Sequence, residues 1–338
     1  LPDRYLAPEA TFCHVGPSGF PLTSLIRGKG TPYSTEAFPW FARQQLNCDI
    51  MELWNVQLHD YTVEDCQTIK ANADAQNVQI LGLLSDRGQS YSREEELYPG
   101  EALSAGHSDP AVRAKFVDVI TSNLPKYTAL GLKYIRCNAN TDINILDANN
   151  AIIQSAFDNV VANVVETFTA ITTAIRASAN PDMMLLLENH SDLTFKADNM
   201  IAVFDAMNDD NFALLADNNN WSAFGVDTNE DGTRGPYNVT PSVEFNKLLP
   251  YTYVLCHKSL EPFNFGLSNA AVRSTLDETL DNPFDWVTPM TTWKGIIEGT
   301  VTTYCPKPPL RAILQEPEYD MSSDLDTTTF NYRFARDF

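Results

Sequence analysis

Glu188, Asp217, His257 and Glu316 each close a short apolar run, and together they make a ligand set for one hard or borderline divalent cation. Carboxylates with a single imidazole suit Mn²⁺, Mg²⁺, Co²⁺ or Zn²⁺, with Mn²⁺ the first expectation. Three anionic ligands oversupply such an ion with charge, which leaves at least one carboxylate basic enough to move protons. His190, Lys258 and Asn220 stand beside these ligands and could bind hydroxyls or tune proton transfer. Glu52, Trp54, Arg136 and Asn138 close two further runs, where the far end of a bound substrate would lie, and Trp54 could stack on an apolar face of it. A lone acid at a strand end is ordinarily a helix cap or loop partner, and Cys256 an ordinary small core residue. The joint occurrence is what points to a site.

Such residues need elements to bring them together. Strand-length apolar runs cover residues 49–54, 78–84, 132–137, 183–188, 212–217, 251–257 and 310–316, and a first strand is expected near 20–26. Helical stretches alternate with them. One covers about 35–46, one is capped by Thr62 with Asp65 in capping-box spacing, and one starts with Asp109 at the cap and Pro110 at its first position. The longest spans 150–178, where Ile153, Phe157, Val160, Val164, Phe168, Ile171 and Ile175 recur at three- and four-residue steps. Strands alternating with helices imply parallel pairing. The expected fold is α/β, a single (β/α)8 TIM barrel over residues 1–338, its core at about 20–320, with long loops at the C-terminal face. A doubly wound open sheet would bring a glycine-rich turn after its first strand, and that turn is missing. In a barrel the C-terminal strand ends carry the active site, where the acids above stand.

The 44 acidic and 23 basic residues give a net charge of −21, a field that repels phosphate backbones and excludes nucleic acid as a partner. Without a glycine-rich phosphate loop, a neutral or cation-bound substrate fits better than a phosphorylated one. No apolar stretch approaches the roughly 18 residues needed to cross a bilayer, so membrane insertion is not expected. The six cysteines are an even number without a CxxC spacing, compatible with disulfides in a secreted protein. A start at Leu1 is expected of a chain that has lost a leader or been trimmed. Secretion is therefore the expectation, with the cytoplasm as the alternative; a homo-oligomer stays open. Asn189, Asn220 and Asn238 each begin an N-x-Ser/Thr sequon, and Asn238, in a polar loop, is the plausible acceptor. Residues 227–232 match the opening of a calcium loop, but Asn238 falls where a bidentate glutamate is required, so a solvated turn is expected. His14, His59 and His107 lack supporting context and are expected to be structural or solvent-facing.

Four strings sharpen the picture: Leu187-Glu188-Asn189-His190, Asp217-Asn218-Asn219-Asn220, His257-Lys258-Ser259 and Gln315-Glu316-Pro317. In this order they resemble the xylose isomerase-like superfamily of sugar phosphate isomerases and epimerases. In that family strand five ends in E-N-H, strand six in D-x-x-N, strand seven in H-x-K and strand eight in a glutamate. Residues 130–136 also look like the family's fourth strand, and the resemblance spans about 20–320. It implies that Glu188, Asp217 and Glu316 hold the metal. Strand seven departs: Cys256 stands two residues before Lys258, where the family has histidine, and His257 lies one place beyond. Neighbours on a strand face opposite ways, so Cys256 and His257 cannot both point inward without a bulge, and which one faces the site is open.

The implied reaction is proton transfer at a carbon beside a carbonyl of a carbohydrate or keto-sugar, through a metal-stabilised enediolate. Glu188 and Glu316 would face opposite sides of that carbon. A leaving group on the adjacent carbon would make the enzyme a lyase. The alternatives are a metal-dependent hydrolase, which the acidic charge disfavours, and a non-catalytic sugar-binding barrel with a decayed metal site.

Overall fold

The alternation of apolar runs and amphipathic stretches folds into a ring of parallel strands inside a layer of helices, in a computed structural model that describes residues 14–17, 34–45, 47–58, 61–85, 103–190, 192–217, 220, 240–259 and 287–317. The strands are β1 (His14–Pro17), β2 (Ile50–Trp54), β3 (Gln79–Ser85), β4 (Tyr134–Cys137), β5 (Met184–Glu188), β6 (Phe212–Asp217), β7 (Thr252–Ser259) and β8 (Ala312–Pro317). They are hydrogen-bonded in the order β1-β8-β7-β6-β5-β4-β3-β2, every pairing parallel, and β1 lies beside β2, which brings the ends of the sheet together. This is a (β/α)8 barrel, as the alternation predicts.

The helices are α1 (Phe38–Gln44), α2 (Val63–Ala75), α3 (Pro110–Ser122), α4 (Leu124–Leu130), α5 (Gln154–Ala177), α6 (Ala197–Met207), α7 (Pro241–Leu248) and α8 (Val287–Ile297). Local chemistry sets several of their ends. Thr62 and Asp65 form the reciprocal capping box at the start of α2. The Asp109 carboxylate accepts from the Ala111 amide ahead of α3, with Pro110 at the first helical position. Gly131, at φ 71°, ends α4 in the left-handed conformation that glycine adopts without strain. On α5 the predicted stripe is buried at Val160, Val164, Phe168, Ile171 and Ile175, whereas Ile153 sits at the N-cap and stays exposed. His107 is structural: its Nδ1 accepts from the Asp109 amide at 2.9 Å.

Pleating divides the core in two. On β5, Leu185 and Leu187 join the cluster that packs under α5, while Met184 and Leu186 join a second cluster with Tyr134, Ala213, Leu215, Cys256 and Leu314 inside the barrel. Each buried leucine of either cluster contributes about 1.5–3 kcal/mol. The inner cluster also fixes which strand-end residues can meet.

Two expectations are corrected. The first strand is His14–Pro17, upstream of the run at 20–26, which lies outside the described residues. Four residues ending in glycine and proline carry almost no strand signal, and the strand-like spacing in the sequence falls on Phe20, Leu22, Leu25 and Ile26. The expected disulfide framework is also incomplete, because Cys66 and Cys305 are buried free thiols. Burial pushes each thiol up to about 11, so neither is a reactive thiolate at neutral pH. Among the described residues no helix is long and apolar enough to cross a membrane.

Candidate active site at the C-terminal strand ends

Parallel register carries the inner face of β4, β5 and β6 to one place. Tyr134 and Arg136 follow one another on the inner side of β4, and Arg136 pairs in register with Leu186 of β5. Glu188, one pleat beyond Leu186, is thereby brought against Arg136. Arg136 Nε lies 2.7 Å from Glu188 Oε2, in a pair whose side chains are 2% and 1% exposed. It is a charge contact rather than an aligned N–H···O bond. The other oxygen, Glu188 Oε1, accepts from Asn220 Nδ2 at 2.9 Å. Burying either ion alone would cost several kcal/mol, so their pairing is what allows both to sit inside the barrel.

Asp217, wholly buried at the end of β6, is fixed to β5 through Asn189. The Asn189 side chain donates from Nδ2 to the Asp217 carbonyl at 2.7 Å and accepts the Asp217 amide at 2.9 Å. The Asp217 carboxylate accepts from the Asn220 amide at 3.1 Å. Asn220 therefore touches both acids, with its side chain on one and its backbone on the other. The half-buried His190 anchors the following turn, its amide donating to Thr194 Oγ1 at 2.8 Å.

A third buried acid lies lower in the barrel. Glu52, Gly82 and Tyr134 are register partners across β2, β3 and β4. A methyl at Gly82 would lie 2.1 Å from the Tyr134 ring, so only glycine lets that ring cross β3. Tyr134 Oη then donates to Glu52 Oε1 at 2.7 Å. Burial, then the negative charge of Glu52, holds the Tyr134 phenol well above its ordinary range, so it stays a donor at neutral pH. Trp54 and Asn138, the other residues read as sugar contacts, are buried at the ends of β2 and β4.

On β7 the backbone runs in register against β8 from Leu255 to Ser259, with Lys258 opposite Glu316. Cys256 belongs to the inner cluster and pairs with Asp217 on the other side. The side chains of His257, Lys258 and Glu316 lie outside the described residues, as do His59 and the whole of 227–239. Of the expected ligand and catalytic set, the structure thus brings Glu188 and Asp217 together through two asparagines and places Arg136 against Glu188. Among the described residues no three His, Cys, Asp or Glu side chains form a metal cluster.

The arrangement around Glu188 does not fit a divalent cation. A guanidinium already balances Oε2, and Asn220 holds Oε1. A metal ion on this carboxylate would have to displace Arg136 or share its space with a like charge.

Parallel strands alternating with helices are shared with solved barrels. The chain superposes with a TM-score of 0.58 on D-psicose 3-epimerase from Clostridium cellulolyticum H10 at 12% identity, covering 96% of this chain and 97% of that one. The likeness is one of fold, a (β/α)8 barrel. A xylose isomerase domain protein from Planctomyces limnophilus shares the fold at a TM-score of 0.54 and 13% identity, over 96% and 95% of the two chains. The IolI protein, solved with a binding zinc atom, shares it at 0.54 and 9%, over 96% of each. No protein-family model and no curated protein matches the sequence. In a (β/α)8 barrel the strands' C-terminal ends form the mouth, where Glu188, Asp217 and Asn220 stand.

Three features of the site escaped sequence reading. Arg136, read as a sugar contact, is the partner of Glu188; Tyr134, two residues before it on the same face, reaches Glu52; Asn189 is a clamp rather than a ligand neighbour. The period of two along Leu132–Cys137 would have placed Tyr134 with Arg136. Nothing in the sequence announced which acid either one meets.

Proposed function

We propose that this chain is an enzyme of the sugar isomerase or epimerase type, moving a proton at a carbon beside the carbonyl of a neutral carbohydrate or keto-sugar. The observation that carries this reading is the buried cluster of Glu188, Asp217, Asn220 and Arg136 at the C-terminal strand ends of a barrel whose structural relatives include sugar epimerases. In the proposed reaction Glu188 and Glu316 exchange the substrate proton, with β6 and β7 between their strands. His190 and Lys258 assist the transfer. Negative charge developing on the carbonyl oxygen needs a cation, and among the described residues of this cluster that charge is Arg136. Trp54, Glu52, Asn138 and Asn220 line the sugar's place. The metal-dependent form of the reaction, which the zinc of IolI supports, requires Glu188 to exchange Arg136 for the ion.

The test is solvent exchange: the protein is incubated with a panel of ketoses and aldoses in deuterated water and each sugar is read by NMR. Deuterium should enter one carbon of at least one sugar, and Glu188→Gln should slow this by roughly a hundredfold or more, the range expected for a general base. Sugar binding without exchange would move the assignment to a carbohydrate-binding barrel. That second reading is favoured by the engagement of both Glu188 oxygens.

A further inference from the structure

We propose that Arg136 is a built-in counter-cation that keeps divalent metal off Glu188, and that removing its guanidinium turns Glu188 and Asp217 into a metal site. The proposal concerns how the site is charged and stands whether or not the protein exchanges a sugar proton. It rests first on position. The guanidinium sits 2.7 Å from Glu188 Oε2, with both side chains almost wholly buried, so the positive charge lies against the oxygen a metal would need. Parallel pairing of β4 with β5 holds it there, because Arg136 stands in register with the residue two before Glu188. Arginine cannot shed its proton in a protein, so no change of pH within the folding range switches this charge off.

Chemistry points the same way. A buried carboxylate is costly unless compensated, and Arg136 supplies that compensation without any ion. Adding a dication beside the guanidinium would set like charges a few ångströms apart where water screens poorly. With the guanidinium gone, the two acids remain held by Asn220 and Asn189, a preformed arrangement of oxygen donors suited to Mn²⁺ or Zn²⁺. Cys256, level with Asp217 on β7, adds a thiol to the same neighbourhood.

The test compares metal-stripped wild-type protein with Arg136→Met and Glu188→Gln, titrating Mn²⁺ and Zn²⁺ by calorimetry and counting bound metal after desalting. Wild type and Glu188→Gln should retain the same amount of metal, while Arg136→Met should bind roughly tenfold more tightly or better, as expected when a like charge leaves a site. One ion per wild-type chain that disappears in Glu188→Gln would overturn the proposal. So would a folded Arg136→Met protein with no gain in affinity. Should Arg136→Met fail to fold, the wild-type and Glu188→Gln pair decides alone: equal metal content upholds the proposal, and a loss sinks it. Absence of deuterium exchange with every sugar would sink the proton-transfer reading but leave these metal counts unchanged, so the two failures are distinguishable.

Discussion

Among the described residues two arginine–carboxylate pairs share a 2.7 Å separation in different surroundings. Arg136 and Glu188 are sealed inside the mouth at 2% and 1% exposure. Arg176 of α5 and Asp209, just before β6, are 43% and 10% exposed. The outer pair works as a staple: Asp209 also accepts from Thr172 and from the Asn211 amide, tying α5 to the entry of β6. It borders a cleft of about 550 Å³ at the N-terminal strand ends, lined by Phe204, Tyr251 and Tyr304. Because Arg176 stays 43% exposed, water and salt screen its charge, and the outer pair is worth about 1 kcal/mol. The inner pair has lost that solvent, so each partner is indispensable to the other while the pair as a whole adds little net stability. The difference teaches that the distance between two charges says little about their purpose. Solvent separates the fastening from the site.

The comparison breaks most visibly at Arg136. Arg136→Ala should cost about 3–5 kcal/mol in urea unfolding by stranding Glu188, while the double change to Arg136→Met and Glu188→Met should recover most of it. A cost below about 1 kcal/mol for Arg136→Ala would mean that the inner pair is solvated after all. Glu52 sharpens the contrast, since a neutral phenol rather than a cation donates to it. Tyr134→Phe should cost about 1.5–3 kcal/mol, less than Arg136→Ala, and a near-zero value would show that Glu52 does not depend on that bond.

At the outer pair the effects shrink. Arg176→Ala should lower stability by about 1 kcal/mol or less, and the difference from wild type should fade in high salt. The smallest effect is on pH. Burial raises the Asp209 carboxyl, but the hydrogen bonds from Arg176, the Asn211 amide and Thr172 outweigh it and hold the group below its ordinary value of 3.8. A depressed folded value means that the contribution is complete above 3.8 and is lost as pH falls through the lower folded value. In Arg176→Ala the folded value should move back towards 3.8, so the part of the acid limb that Asp209 supplies should shrink; an unchanged limb would detach Asp209 from Arg176.

Periodicity made most of the barrel legible. β6 ends at Asp217 as its apolar run predicts, and the five fully buried residues of the α5 stripe stand at the three- and four-residue steps read from the sequence. β1 was not legible, because His14-Val-Gly-Pro17 gains its strand character only by pairing with Ala312–Gln315 of β8. In the site, sequence picked out Glu188, Asp217 and Asn220 as neighbours, since each ends or follows a run at a fixed offset. It could not show that Arg136 meets Glu188, because that contact depends on the stagger between β4 and β5, a property of pairing rather than of either strand. The Glu52–Tyr134 bond is hidden for a similar reason: it passes over Gly82 on a third strand, and a glycine in an apolar run announces only that something comes close.

In a compartment that glycosylates nascent chains, the Asn189 clamp would set folding and modification against each other in time. Asn189 and Asn220 both head sequons, and both side-chain amides are consumed in holding Asp217 and Glu188. A glycan on either nitrogen would remove a donor and wedge a sugar into the barrel mouth. In any compartment that glycosylates nascent chains, β5 and β6 would have to latch before the transferase reached them. The mouth of this barrel would then be decided by a race, and the modified chains would be the ones that lost it.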